Sequence, residues 1–454
     1  MRARVLLMLV LAVGCDEGGE AGPVVDAAID AAPDDVGSTP DRAVDAAVDM
    51  APEVEPDMAP DAAPPVEWPA VAADNAVDPD DPLAEGQARM VYETWGAELK
   101  PGWPPAAFLL DLMRAEPDVF GDQFAAWGFV QNPDSDLPFG LARGSKDPER
   151  VHHTCAACHI ARLDDGRVWL GAPNTRLDFE GFRVAVHARW VAAGNPAYLE
   201  PLEAEKMQAM GPGRTNAESA DYPRPVPADF PPYYRLETRG HLNYLGTGRD
   251  VRTEVHLALY SFGPGNPDDE TAVAGPFPDA AVVDALIGFM GQIDGPENPA
   301  PPDPAAVARG AEVFAEARCD ACHHPAMPEM DGVTPIDTAD DGRDRLPGED
   351  PEWPDGSIHT SPLHRVLIDG DEEGGGGVDE GRLQLILFIA RHGLRVGATD
   401  GYRVPTLEGL WSTPPYLHNG SVPTLDALLD APADRPAVFE VHGVERDVAL
   451  TGNS

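Results

Sequence analysis

Residues 152–166 read HHTCAACHIARLDDG, and residues 316–328 read EARCDACHHPAMP. Each stretch sets two cysteines three apart with a histidine directly behind. These are Cys155, Cys158 and His159 in the first, and Cys319, Cys322 and His323 in the second. The chain has five cysteines, and the fifth, Cys15, closes an N-terminal apolar run, so every other thiol is committed to one of these two units. Cys-x-x-Cys-His is the attachment pattern of c-type haem. The two thiols form thioethers to the haem vinyl groups, and the histidine behind them lies beneath the iron as proximal ligand. Three other readings compete: one four-thiolate zinc site, thioredoxin-like redox pairs, or short-loop disulfides. None explains a histidine behind both pairs. The two units predict two covalently bound haem c groups, with His159 and His323 on the metal.

Working outward, PPDPAAVARGAEVFAEARCDACHH (301–324) places Val307, Gly310, Ala311 and Phe314 at helical spacing ahead of the second unit, with Pro304 suited to the first turn. It looks like the opening of a class I cytochrome c module. Three further stretches read as helices: PPAAFLLDLMRAEPD (104–118), PDAAVVDALIGFMGQIDG (278–295), and DEGRLQLILFIARHG (379–393), which Gly393 can cap. Long Pro/Gly-rich loops separate them, as at 211–235 and 331–357, and no sustained strand alternation stands out.

The N-terminus has its own logic. MRARVLLMLVLAVGC carries Arg2 and Arg4 ahead of an apolar run too short to span a bilayer. The LAVG before Cys15 resembles the cleavage box of bacterial lipoproteins, which implies a lipidated Cys15. Residues 16–67 hold fifteen carboxylates against one base, Arg42, and no aromatic, so this segment cannot bury enough apolar surface to fold. As a coil it spans about 40 Å, a tether off a membrane; a partner-binding tail is the other reading. The whole chain carries a net charge of −46. That excludes nucleic-acid partners, which need basic surface, and favours cationic ones.

The predicted fold class is mainly α: two class I cytochrome c-like haem domains with long Pro/Gly-rich loops, preceded by a disordered acidic tether. The expected boundaries are a signal peptide at 1–15, a linker at 16–85, haem domains at 86–295 and 303–435, and a tail at 436–454. The Pro-rich break GPENPAPPDP (295–304) divides the two domains.

YRVPTLEGLWSTPPYLHNGSVPTLDALL (402–429) resembles the C-terminal signature of the bacterial dihaem cytochrome c peroxidase superfamily, which includes methylamine-utilisation dihaem enzymes and rubber-oxygenase-like proteins. The elements are Pro405, Thr406, Leu407, Pro415, Tyr416, His418, Asn419, Gly420, Ser421, Thr424 and Leu425. The WSTPPYLHNGS version is most similar to the rubber-oxygenase-like branch, as is LPFGLARGS…TCAACHIARLDDGRVWLGAPN…DFEGF around the first unit. The resemblance implies two unlike haems, one passing electrons and one with an open iron face for peroxide or dioxygen.

Several residues then become candidates. Glu180 in DFEGF could serve as the distal acid–base group of an open haem, or be a surface carboxylate. Trp169 and Trp190 lie between the two units in sequence and could relay electrons, or simply pack a core. For the distal face of the second haem the candidates are His359, His364, His392, His418, His442 and Tyr416; no methionine follows Met330. His392 could instead cap its helix, and His418 could hold a propionate. In rubber-oxygenase-like members a Gly-Asn-Ser is followed by Gly-His; here Gly452-Asn453-Ser454 ends the sequence, so that ligand stays open. For the first haem, His187, His241 and His256 lie downstream outside any ligand motif. The acidic stretch DTADDGRD (337–344) could bind Ca2+ through oxygen ligands or be a solvated loop.

The expected function is a dihaem oxidoreductase of the cytochrome c peroxidase type. Its expected partners are a small redox donor protein or quinol-linked donor, and peroxide or dioxygen. It is expected to be exported to the periplasm or cell surface and to touch the membrane through its lipid anchor only. The alternatives are a tethered electron-transfer cytochrome without catalysis, and a rubber-oxygenase-like dihaem oxygenase.

Overall fold

Helices and short ribbons frame both Cys-x-x-Cys-His units in the computed structural model of the chain. The structure describes residues 68–93, 104–144, 148–215, 227–239, 242, 248–262, 280–300, 302–317, 319–321, 323, 333–335, 388–396, 401–431, 434–441 and 443–447. All belong to one compact unit, Trp68–Ser454. The expected signal peptide, Cys15, the acidic segment to Glu67 and the 337–344 loop lie outside the described residues.

The labelled helices are α1 (Ala84–Tyr92), α2 (Ala106–Ala115), α3 (Pro117–Phe120), α4 (Ala156–His159), α5 (Phe179–Ala192), α6 (Pro201–Gln208), α7 (Val251–Phe262), α8 (Ala280–Gly291), α9 (Pro304–Glu316) and α10 (Leu425–Leu429). Five antiparallel two-stranded ribbons join them: β1 (Leu141–Arg143) with β2 (Val151–His153), β3 (Ile160–Arg162) with β4 (Val168–Leu170), β5 (Arg214–Thr215) with β6 (Ala228–Asp229), β7 (Val333–Pro335) with β8 (Gly401–Arg403), and β9 (Val438–Val441) with β10 (Val444–Asp447).

Two large apolar clusters organise the described part, with smaller ones around Ile389 and Leu394 and around Tyr416, Val422 and Ala427. In one of the large clusters, Val283, Leu286, Phe289 and Met290 of α8 meet Met90 and Val91 of α1 and Val255 and Leu259 of α7. Gly86 permits the close α1–α8 approach, since a Cβ there would stand 2.0 Å from the Ala285 carbonyl oxygen. In the other, Leu109 and Leu112 of α2 meet Phe120, Phe124, Phe129 and Phe182. Each large side chain fully buried this way contributes about 1.5–3 kcal/mol.

The helices expected at 104–118 and 278–295 form within those stretches as α2 and α8. Of the stretch 379–393, the described part is helical at 388–392, and Gly393 follows at φ +60. There Leu394 N–H bonds the Ile389 carbonyl, the left-handed helix ending that glycine favours. Helix α9 starts on Pro304 with Asp303 as its cap. Among the described residues its apolar face is open: Val307 and Val313 are 55% and 61% exposed.

Two boundaries differ from expectation. The linker was expected to reach residue 85, but residues 68–85 already make contacts with the fold. Asp74 and Asn75 pair with Val168 and Leu170 along the edge of β4, and Val71, Val77 and Leu83 pack on the α1–α8 cluster. Composition could not mark this, because its Ala, Asp and Pro content continues that of the tether. Part of the expected tail, 438–447, is the β9–β10 hairpin, which turns at Gly443 (φ +84).

Candidate haem site

The first Cys-x-x-Cys-His unit sits between two ribbons. Strand β2 leads into Cys155, α4 carries Ala156–His159, and β3 leads away. Buried Thr154 ties the entry to α1 through a 2.8 Å bond from Oγ1 to the Val91 carbonyl. Gly140 (φ +91) lets the turn before β1 lie flat on the unit, since a Cβ there would stand 2.2 Å from Ala157 Cα. Asn174 N–H bonds the Cys158 carbonyl at 2.9 Å, and Gly171 N–H bonds the His159 carbonyl at 2.8 Å.

The two units share a local design. His159 N–H donates to the Cys155 carbonyl at 3.1 Å, and His323 N–H donates to the Cys319 carbonyl at 2.7 Å. One helical turn therefore stacks each histidine behind its first cysteine. In each case the backbone of a later proline faces the imidazole: Pro231 at His159 and Pro405 at His323. His159 Nδ1 has no contact of hydrogen-bonding geometry, so Pro231 is a neighbour of that ring rather than a well-formed partner. Cys322 lies outside the described residues.

Burial sets the chemistry. It drives the His159 pKa down to about 3, against the opposing pull of the Pro231 backbone, and it lowers that of His323 against Pro405. Both rings are held neutral, the form that ligates a metal. Burial pushes the Cys155 thiol up to about 11 and the Cys158 thiol higher, with Glu180 and Cys155 adding to the latter. Cys155 packs against the α1–α8 cluster and Cys158 against the α2 cluster. Apolar-buried thiols held protonated are poor redox nucleophiles, which disfavours the thioredoxin-like reading. Neither pairs in a disulfide, nor does Cys319. Among the described residues no three His, Cys, Asp or Glu side chains converge as a metal cage.

Tyr233 was not singled out in the sequence. Its ring stacks on His159 at 3.6 Å between centroids and 14° between planes. Its backbone N–H bonds the Gly171 carbonyl at 2.8 Å, so the unit and its stacking partner are fixed together. Burial raises the Tyr233 pKa well above its usual value, and Glu254 of α7 and the two thiols add to it. The only cue was the compact run Pro231-Pro232-Tyr233-Tyr234 inside a stretch read as loop.

The sequence candidates fall in different places. Glu180 is buried at 2% exposed, which removes the surface-carboxylate reading. Thr215 Oγ1 donates to its Oε1 at 2.5 Å and Arg183 pairs with its Oε2 at 3.0 Å. Trp169 reaches toward the C-terminal segment: Arg167 lies 5.2 Å from its ring and 5.8 Å from that of Trp411. Trp190 points the other way, edge-on to Phe108 at 5.1 Å. His418 is buried, with its pKa brought down to about 3, and its carbonyl accepts from Asp229 N–H at 2.8 Å. Tyr416 donates its hydroxyl to the Leu410 carbonyl at 3.1 Å. His187 Nδ1 accepts from Leu199 N–H at 3.2 Å. His256 Nδ1 contacts the Arg252 carbonyl at 2.7 Å, and its ring lies 5.4 Å from that of His392. His241, His359, His364 and His442 lie outside the described residues.

Paired thiols on one turn, a neutral imidazole with an unpartnered Nδ1 and two apolar clusters around them fit a covalently held haem. Comparison with known proteins bears on the C-terminal segment. Residues 401–440 match the family described as RoxA-like, cytochrome c-like. That domain implies covalently bound haem c, and it supports a relationship to the RoxA and dihaem cytochrome c proteins. Two proteins of Sinorhizobium fredii are similar over short stretches. The uncharacterized protein y4iJ is 52% identical over 52 residues, which is 12% of this chain and 9% of that protein. The uncharacterized protein y4iM is 47% identical over 55 residues, 12% of each. The chain thus spans about a tenth of the length of these relatives. Among the described residues no helix is long and apolar enough to cross a membrane.

Proposed function

We propose that this chain is a dihaem c-type oxidoreductase of the cytochrome c peroxidase type, built on two class I cytochrome c-like domains. It takes electrons from a donor at one haem and reduces peroxide at the other. The observation that carries this reading is the shared design of the two units, each with an imidazole whose pKa burial lowers, buried at His159 and half-buried at His323, a cysteine one turn behind it and a proline backbone facing the ring. The cytochrome c-like match at 401–440 supports it.

Bound haem supplies a redox-active iron. The chain's part is to hold and orient it. His159 and His323 present neutral rings, and Tyr233 fixes the plane of His159. The family resemblance implies one haem with an open face for a small oxidant; His187 and His256, the described candidates for the opposite face of the first haem, each fix their ring through Nδ1, as a metal-ligating histidine also does. Glu180, gripped by Thr215 and Arg183, suits a fixed anion beside Cys158 better than a mobile acid. Trp169 suits electron relay better than Trp190, because it faces the 401–440 segment through Arg167 and Trp411. The net charge of −46 favours a basic donor protein. The signal-like start and Cys15 support export and lipid anchoring at a bacterial membrane.

The RoxA-like description of the matched family favours a second reading, an oxygenase acting on a hydrophobic polymer at the open haem. Electron paramagnetic resonance of the ferric protein, paired with turnover assays, decides. A high-spin signal and peroxide consumption with a reduced donor are expected. Oxygen uptake with a polyisoprene substrate and no peroxide turnover would establish the second reading instead. Low-spin signals alone, without turnover, would leave an electron carrier.

A further inference from the structure

Away from the thiols, β5, β6, β10 and the turn at 417–421 enclose a cluster of charged side chains with little solvent. Arg214, Asp229, Arg446 and Ser421 are 6%, 5%, 4% and 6% exposed. Arg446 donates to the carbonyls of Gly420, at 2.9 Å, and Pro212. That leaves Arg446 Nε, Arg214 Nε, Asp229 Oδ1 and Ser421 Oγ buried without a hydrogen-bond partner among the described residues. A Cβ added at Gly420 (φ +62) would stand 2.5 Å from Arg446 Nη1 and 3.0 Å from Asp229 Oδ1, so both atoms look onto one point. Among the described residues, no ion pair within 4 Å joins Asp229 to either guanidinium.

Two guanidiniums share one carboxyl here. Burial and mutual repulsion bring the Arg214 pKa down to about 9. Asp178, the other acid felt by Arg214, is already spent capping α5 through a 2.9 Å bond from Gly181 N–H. In a chain of net charge −46, an excess of buried positive charge is out of character. Buried charges persist when paired, and unpartnered buried polar atoms cost about 1–3 kcal/mol each. The cluster therefore lacks an anion.

We infer that Arg214, Arg446 and Ser421, together with Asp229, form a buried carboxylate-binding site that holds a propionate of the haem attached at Cys155 and Cys158. A chain of contacts links the site to the unit that would hold that haem. Arg214 adjoins Thr215, Thr215 bonds Glu180, and the charge of Glu180 is felt at the Cys158 thiol. The site also joins the first-haem region to the 401–440 segment, through Arg446 on Gly420 and Pro212 and through Asp229 N–H on His418. Planar guanidinium forks suit carboxylates, and a propionate is the carboxylate that a covalently held haem brings into the fold.

The inference rests on a haem at the first unit and not on the reaction performed there. The test is spectroelectrochemical titration of the full-length holoprotein, with haem content checked by a denatured pyridine spectrum. Arg214→Gln removes one positive charge near the porphyrin, so it favours the ferric form. One haem wave is expected to move down, by about 59 mV for a tenfold shift in the reduced-to-oxidised ratio. Arg214→Lys is expected to restore most of that shift. The wild-type wave is expected to ignore added phosphate or formate at constant ionic strength. A wave that follows phosphate or formate would identify an exchangeable anion and overturn the propionate assignment. Unmoved waves in Arg214→Gln with full haem content would overturn the site itself. If that variant does not fold, Ser421→Ala replaces it: a smaller downward shift supports the site, and none overturns it. A protein that carries haem but ignores peroxide leaves this inference standing; one without haem removes the functional reading first.

Discussion

Replacing Gly140 by alanine tests how the first unit is held. The substitution acts in two ways. At φ +91 an alanine is strained, which costs about 1–3 kcal/mol. The new methyl would also stand 2.2 Å from Ala157 Cα and 2.5 Å from its nitrogen, backbone atoms midway between the two cysteines. That overpacking adds about 1–3 kcal/mol. Gly166 supplies the control: its φ is +93, and nothing lies within 4 Å of its added Cβ. Gly166→Ala therefore carries the strain without the clash. Denaturant unfolding followed by far-ultraviolet circular dichroism should show Gly140→Ala less stable than Gly166→Ala by about 1–3 kcal/mol. Haem loading at the first unit should fall in Gly140→Ala alone. Equal losses in the two variants would refute the packing of the β1 turn on the Cys-x-x-Cys-His unit.

Two further outcomes follow from the same geometry. Thr154→Val deletes the buried bond to the Val91 carbonyl and leaves that acceptor unpaired, so it should cost about 1–3 kcal/mol in the same unfolding assay. Acidification should loosen the junction of α7 with residues 388–392. Burial lowers the pKa of His256 and of His392; Arg252 adds to it at the first, and His256 and Arg391 at the second, while Asp250, Asp284 and the Arg252 backbone oppose it at His256. Both rings are neutral when folded, so their contribution is complete above the unfolded pKa of about 6.5. It is lost as the pH falls from there through the folded values, because the unfolded chain takes up protons the folded chain refuses. Amide-exchange protection factors across 251–259 and 388–396, taken against the intrinsic rate at each pH, should fall below pH about 6.5, and His392→Leu should flatten that dependence.

The parts legible in the sequence were those whose signal is local. Cys155 to His159 and Cys319 to His323 each close one helical turn, and α2 and α8 carry apolar stripes at helical spacing. Gly393 announced its helix end through the left-handed backbone only glycine adopts freely. The ribbons were not legible, because strands of two to four residues are too short for alternation to register. For β7 the partner, β8, also lies about seventy residues further along the chain. Residues 68–83 read as tether because their pairing partner, β4, lies about ninety residues away. Glu180 looked like a surface acid until Thr215, from a stretch read as loop, closed over it. The Arg214–Asp229–Arg446 cluster gave no local sign, since its members come from three separated strands.

The most direct measurement is the ratio of haem c to polypeptide, taken from a denatured pyridine haemochrome spectrum of mature protein made in a host that matures such cytochromes. Two haems per chain are expected, with one lost in Cys155→Ala/Cys158→Ala and the other in Cys319→Ala/Cys322→Ala. A colourless polypeptide, or zinc bound in place of haem, would contradict the reading of both Cys-x-x-Cys-His units.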